Sequence, residues 1–176
     1  MPPRSASGLE TSSSARVLLI MGVAGSGKTT IGVALAKALH WSFADADDFH
    51  PPANVAKMSA GIPLDDEDRA PWLQAMRRHI EKTLREGNSA VITCSALKQA
   101  YRDVLMVEPQ RTTLIYLKGS RDLLQSRISH REGHFMKPEM LDSQLDTLEE
   151  PKDALVIDIR HTPEEIVAEI RAKLGV

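Results

Sequence analysis

The sequence predicts an α/β fold, a mainly parallel β-sheet with helices on both faces. Three observations predict it. Five short strand-like runs, most of them apolar, alternate with six segments of helical periodicity along the 176 residues, the pattern of successive βαβ units. The first run passes directly into a glycine-rich loop and then a helix. No internal repeat or long linker interrupts the pattern, so residues 16–176 are expected to form a single domain with a sizeable core.

Met1–Ala15 is rich in Ser, Pro and Gly without periodicity and is expected to be a disordered N-terminal extension. It lacks the apolar stretch of a secretory signal, and its shortness and Glu10 argue against a transit peptide. Val17–Met21 is a five-residue apolar run, too short for a helix and suited to a buried parallel strand. Lys28–Leu39 places Ile31, Leu35, Ala38 and Leu39 on one helical face. Further strands are expected at Ser42–Ala46, Ala90–Cys94, Thr113–Leu117 and Leu155–Ile159, and further helices at Asp68–Glu86, Lys98–Val107, Arg121–Arg131, Pro138–Thr147 and Pro163–Leu174. Ser120 and Thr162 are placed to cap the two helices that follow them; Pro163 at the first helical position and Glu164 and Glu165 near the positive dipole end strengthen the second.

Hydrophobic residues make up 42% and charged residues 26% of the chain, and the formal net charge is −2. That balance supplies no basic footprint for nucleic acid, and no apolar run approaches the roughly 20 residues that span a bilayer. The single cysteine, Cys94, has no partner for an internal disulfide, which fits a reducing, cytoplasmic setting. It reads as a small buried strand residue. No Cys/His cluster has zinc-site spacing.

The loop Gly22-Val23-Ala24-Gly25-Ser26-Gly27-Lys28-Thr29 matches G-x-x-x-x-G-K-[ST], a phosphate-binding P-loop, in the strand–loop–helix context the chemistry requires. Its glycines let backbone N–H groups turn toward an anion, and the helix N-terminus that continues through Thr30 adds partial positive charge. Lys28 is placed to reach the β- and γ-phosphates of ATP, and the Thr29 hydroxyl to hold Mg²⁺. In an open parallel sheet, ligands bind beyond the carboxyl ends of the strands. After the second strand comes Asp45-Ala46-Asp47-Asp48-Phe49-His50. An Mg²⁺–ATP kinase needs oxygen ligands for its metal and a carboxylate to take the proton of the attacking hydroxyl; Asp45 and Asp47 are the candidates, with Asp48 a solvated turn residue. The third strand ends in Cys94-Ser95 where a Walker B motif has aspartate, which leaves Asp45 as the nearest acid for that role.

Arg69 stands among the acids Asp65 to Asp68, where it either pairs locally or meets an anionic substrate; Trp72 reads as core or wall. Lys98 and Arg102, four residues apart, are either one cationic, anion-binding face or a solvated helix face. Arg127 and Arg131 suit a lid that closes over the triphosphate and excludes water. His134 is a substrate contact or a polar surface group. A guanine-reading Asn-Lys-x-Asp motif is absent, which argues against a nucleotide switch.

These motifs, in order, resemble the gluconate kinase (gluconokinase) family, small P-loop metabolite kinases akin to shikimate kinase. The resemblance runs from Val17 to the C-terminus. It rests on Met21–Thr30, Asp45–Pro51, Gly61–Leu73, Cys94–Lys98 with Tyr101-Arg102-Asp103, Arg131–Met136 and Gln144–Pro151. It implies ATP-dependent phosphorylation of D-gluconate to 6-phosphogluconate, a five-stranded parallel sheet in order 2-3-1-4-5 with a lid, and a homodimer. By the same likeness Gly25, Gly27, Lys28 and Thr29 hold phosphates and Mg²⁺, Asp47 is the base or substrate-hydroxyl anchor, and Arg127 and Arg131 are lid arginines. Thr29 and Ala46 stand at positions that vary in the family. Gluconate has one carboxylate and several hydroxyls: Arg69, Lys98 and Arg102 offer donors for the first, Asp47 and His50 partners for the second. A kinase of another sugar acid or of shikimate is the alternative.

Overall fold

The computed structural model describes residues 14–130 and 138–176. Its elements are β1 (Val17–Met21), α1 (Lys28–Leu39), β2 (Ser42–Asp45), a 3₁₀ turn (Ala46–Phe49), α2 (Pro52–Ser59), α3 (Asp66–Arg85), β3 (Ala90–Thr93), α4 (Gln99–Leu105), β4 (Thr112–Lys118), α5 (Arg121–Ser129), α6 (Pro138–Thr147), β5 (Leu155–Asp158) and α7 (Pro163–Leu174). The five strands form one parallel sheet in the order β2-β3-β1-β4-β5, as expected.

β1 is buried at every position, and its alternate residues serve opposite layers. Val17, Leu19 and Met21 join Trp72, Met76, Ile80 and Leu105 in the core beneath α3 and α4. Leu18 and Ile20 join Ile31, Leu35, Ile166 and Ile170 in the core beneath α1 and α7. Each such fully buried aliphatic side chain contributes about 1.5–3 kcal/mol. The helix ends carry the expected caps. Ser120 Oγ accepts the Leu123 N–H, and Thr162 and Glu165 form a reciprocal capping box. A second box, Asp65 with Asp68, opens α3 two residues earlier than expected.

Three local features differ from expectation. Ala15 is buried and its carbonyl accepts a hydrogen bond from Arg111 Nε, so the packed chain extends into the segment expected to be disordered. Residues expected to run as a loop from Pro51 contain α2, because Pro52 occupies the first helical turn, where a missing N–H costs nothing. The exposed-to-buried face of α1 is rotated: Gly32 and Ala36 pack inward with Ile31 and Leu35, while Ala38 is only partly covered. Among the described residues no helix is long and apolar enough to cross a membrane.

Gly32 has a consequence for the site. A Cβ there would lie 2.6 Å from Thr93 Cγ2 on β3 and 2.8 Å from the Phe43 ring on β2. Without it, α1 settles close over these two strands, and its N-terminus comes to the end of β2. Gly32→Ala tests this. In an open helix the change stabilises by about 1 kcal/mol; here the clash with a stiff β-branched residue is expected to dominate, lowering the urea-unfolding free energy by about 1–3 kcal/mol. A gain in stability would show that the helix has room to spare.

Candidate active site

The loop between β1 and α1 has the geometry of an anion cradle. Gly25 and Gly27 adopt left-handed conformations, with φ of 82° and 88°. At Gly25 a Cβ would also meet Leu124 O and Ile128 Cγ1, each at 2.9 Å, so the loop packs directly on α5. The N-terminus of α1 points into the loop, leaving first-turn N–H groups without intrahelical acceptors. Two amides are committed elsewhere. Ala24 N–H donates to Gln144 Oε1 at 2.7 Å, and Ser26 N–H to the Val23 carbonyl at 3.2 Å. Lys28 Nζ donates to the Gly22 and Val23 carbonyls at 2.9 and 3.3 Å, holding its ammonium within the loop. Ser26 Oγ is a buried polar atom with no hydrogen-bond partner. Beside the loop, a cleft of about 300 Å³ is lined by Gly25, Gly27, Thr30, Arg127, His161 and Pro163.

The close seat of α1 brings Thr29 Oγ1 to 3.3 Å from Asp45 Oδ2, joining the two residues expected at a metal. Asp45 is aligned with Thr93 across the β2–β3 pairing, at the carboxyl edge of the sheet. Its other carboxylate oxygen accepts the Asp47 N–H at 2.9 Å and caps the 3₁₀ turn. Among the described residues no group of three or more His, Cys, Asp or Glu side chains is arranged to hold a metal. A hydroxyl and one carboxylate are instead the partial donor set that suits Mg²⁺, which retains waters and takes further oxygens from phosphates.

The turn carrying Asp47 is fastened to α3. Trp72 Nε1 donates to the Ala46 carbonyl at 2.7 Å, and the Trp72 ring stacks on His50 at 4.5 Å and 8°. Trp72 is therefore both core and wall. Partial burial raises the Asp47 carboxyl above its ordinary range; Asp45 adds to this, while His50 and Lys28 oppose it. Burial lowers the His50 imidazole, with Asp47 raising it and Arg69 lowering it. Asp47 thus feels the charges of Lys28 and His50, and His50 those of Asp47 and Arg69, a row of electrostatic neighbours.

At the far end of that row Arg69 and Lys98 converge, and each pairs locally with Asp66. Both lie over the Tyr101 ring, at 5.8 and 5.5 Å. Both also reach Asp66 Oδ1, at 3.9 and 3.4 Å, and Tyr101 Oη donates to the same oxygen at 2.7 Å. The Tyr101 hydrogen bond, and then Lys98, hold the exposed Asp66 carboxyl below its usual range. Asp66 and Tyr101 fall within the motifs that carry the family resemblance, but the sequence gives them no site role.

Arg102 does not join this cluster, which corrects the expected substrate contact. It is 1% exposed. Its guanidinium donates to the carbonyls of Ala96, Leu97 and Glu149 and to Gln99 Oε1. The helical spacing misled because Lys98 is the N-cap residue in extended conformation, not part of α4. Arg127, in the last turn of α5, lines the cleft beside the P-loop and donates to the Ile159 carbonyl. Arg131 and His134 lie outside the described residues, as does most of the expected lid. The cleft also takes in His161, which carries no signal in the sequence, and Pro163, which reads there only as the start of a helix.

A model of the shikimate kinase family matches residues 24–174. The thermoresistant gluconokinase of Escherichia coli is 44% identical over 156 residues, 86% of this chain and 89% of that one. The gluconokinase of Gluconobacter oxydans is 47% identical over 138 residues, 78% of each chain. The crystal structure of a gluconokinase from Sinorhizobium meliloti, 41% identical, superposes with a TM-score of 0.81 over 92% of this chain and 93% of that one. Shikimate kinase from Aquifex aeolicus, 18% identical and covering 90% and 96% of the two chains, superposes at 0.59 and shares the fold.

Arg102→Met separates the structural placement from a substrate role. Removing the guanidinium leaves buried carbonyls without donors, at about 1–3 kcal/mol each. The expected result is a loss of at least about 3 kcal/mol in urea unfolding. Wild-type stability with a raised KM for the phosphoryl acceptor would reinstate Arg102 as a substrate contact.

Proposed function

Since the chain belongs to the shikimate kinase family and groups within it with the gluconokinases, we propose that it transfers the γ-phosphoryl group of ATP to the primary hydroxyl of D-gluconate, giving 6-phosphogluconate and ADP. The observation that carries this reading is the row Lys28, Asp47, His50, Arg69, with Lys98 and Tyr101 at its end. Gluconate carries its phosphorylatable hydroxyl and its carboxylate at opposite ends of an extended chain. A site with a base beside the phosphate cradle at one end and paired cations at the other matches that separation of charge.

In this reading the triphosphate lies in the P-loop, with Lys28 on its terminal oxygens, and the nucleoside fills the cleft bordered by Arg127, His161 and Pro163. Thr29 and Asp45 would hold Mg²⁺, which neutralises charge on the phosphates when bound. Asp47 accepts the proton of the primary hydroxyl as its oxygen bonds to the γ-phosphorus and the bond to the β-phosphate oxygen breaks. Positioning supplies most of the remaining rate, since phosphoryl transfer demands little covalent chemistry from the protein. Arg69 and Lys98 bind the carboxylate, which displaces Asp66 from them. Arg131 and His134 complete the proposal as lid residues. So do a homodimer and a cytoplasmic location.

The decisive experiment couples ADP release to NADH oxidation across a panel of gluconate, other sugar acids and shikimate. Gluconate is expected to give the highest kcat/KM; preference for shikimate, or no transfer to any sugar acid, would overturn the reading. Asp47→Asn is expected to bind ATP normally while kcat falls at least about 100-fold. Asp66→Asn removes the internal rival for the cations and is expected to lower the gluconate KM about 2- to 5-fold, the range of an exposed ion pair. An unchanged or raised KM would mean that Asp66 orders the cations rather than competing for them.

A further inference from the structure

Asn54 is a buried polar residue that the phosphoryl-transfer reading leaves without a task. It sits in the first turn of α2 and is 2% exposed. Its amide nitrogen lies 2.8 Å from the Asp68 carbonyl oxygen and 3.2 Å from His50 Nδ1. An amide NH₂ has two hydrogens and no lone pair to offer. Reversing the amide would set Oδ1 at 2.8 Å from the Asp68 carbonyl, two acceptors with no proton between them. The main chain of α3 thus decides which way Asn54 faces, and Asn54 can only donate to His50. Nδ1 must then present its lone pair, which places the proton of the neutral ring on Nε2. An imidazolium would aim an Nδ1–H at the amide hydrogens, so the same contact opposes protonation.

The Trp72 ring, stacked at 4.5 Å and 8°, fixes the plane of the imidazole. With one edge held by Asn54, Nε2 is the remaining polar atom of His50. We propose that Asn54 is a positioning residue that locks His50 as the neutral Nε2–H tautomer, making it a hydrogen-bond donor to an acceptor-substrate oxygen and not a proton carrier in the transfer. The substrate half of this statement rests on the kinase reading; the tautomer half does not. His50 feels both the Asp47 and the Arg69 charges, and in the kinase reading the secondary hydroxyls of a sugar acid would run past it. A donor-only nitrogen there selects substrates that carry an oxygen at that position, because a deoxy analogue leaves a desolvated N–H unpaired.

Long-range ¹⁵N NMR of histidine-labelled, substrate-free protein reads the tautomer directly, with the His50→Gln spectrum assigning the signal. The expected spectrum shows Nδ1 as the unprotonated nitrogen and Nε2 as the protonated one at pH 7.5. The opposite assignment, or an imidazolium, overturns the proposal even if gluconate turnover is normal. Asn54→Ala is expected to give mixed tautomers and raise the gluconate KM about 10-fold with the ATP KM within 2-fold. An unchanged tautomer in that variant overturns the positioning role whatever happens to KM. For the substrate half, His50→Gln retains an N–H donor and is expected to keep kcat/KM within about 10-fold, while His50→Glu, an acceptor, loses about 100-fold or more. Equal loss in both variants would make His50 more than a donor. If no sugar acid is phosphorylated, the kinase reading fails while the spectra still judge the lock.

Discussion

The hydrogen bond between Thr29 and Asp45 joins the phosphate loop to the acid turn, and the close seat of α1 that brings the two together has no room for a methyl group at Gly32. In the strand order β2-β3-β1-β4-β5 the acid turn after β2 and the phosphate loop after β1 are separated by β3. The sheet alone would keep them apart. α1 closes the gap because Gly32 lets it lie against Thr93 and Phe43, so that its first turn reaches the edge of β2. A donor set then arises between the first turn of α1 and the far end of β2, consecutive elements that meet here by packing and not by sheet pairing. This also accounts for a third strand that ends in Cys94 instead of an acid. With Asp45 aligned to Thr93 in register, the carboxylate is supplied one strand further out.

The acid turn would be mobile if Asp45 alone held it. It is anchored instead through α3, by contacts of three kinds. Trp72 Nε1 binds the Ala46 carbonyl, its ring face carries His50, and Asn54 links His50 to the Asp68 carbonyl. The Lys57 ammonium lies 2.9 Å from both oxygens of the Asp68 carboxylate, whose Oδ2 also accepts the Asp65 N–H in the capping box. The acids at the start of α3 are therefore not one patch. Asp65 and Asp68 organise the helix terminus, and Asp66 faces the cations. A helix N-terminus favours all of them electrostatically, and only their hydrogen bonds distinguish them.

Much of this architecture was legible in the sequence, because it rests on local rules. The five strands followed from short strand-like runs, the P-loop from its spacing, and the caps at Ser120 and Thr162 from residue type and position. The convergence of Thr29 with Asp45 and of Arg69 with Lys98 was anticipated only as chemistry, since both depend on contacts between distant segments. Where a local rule was applied outside its domain it failed. Lys98 and Arg102 are four residues apart, but the first is in extended backbone at the N-cap and the second in the helix, so they diverge. The double proline at Pro51-Pro52 reads as an interruption and instead begins α2, and with α2 Asn54 was overlooked. Nothing in the type or spacing of Asn54 reveals that a carbonyl of α3 will fix its orientation.

The distribution of charge constrains what can bind more tightly than the shape of any one cleft. Two anions must approach each other for phosphoryl transfer to a sugar acid, and a carboxylate base must stand nearby without repelling either. Cations at both ends of the row meet this requirement: Lys28 within the phosphate loop, Arg69 and Lys98 around Tyr101. Between them stand a carboxyl that burial raises and an imidazole that burial lowers. A neutral acceptor would leave the distant cations to Asp66, which already satisfies them, and would bring no charge to displace it. The arrangement therefore favours an acceptor whose carboxylate and reactive hydroxyl lie at opposite ends of a flexible, hydroxylated chain, and it does so through charges that α3 and the start of α4 hold in place.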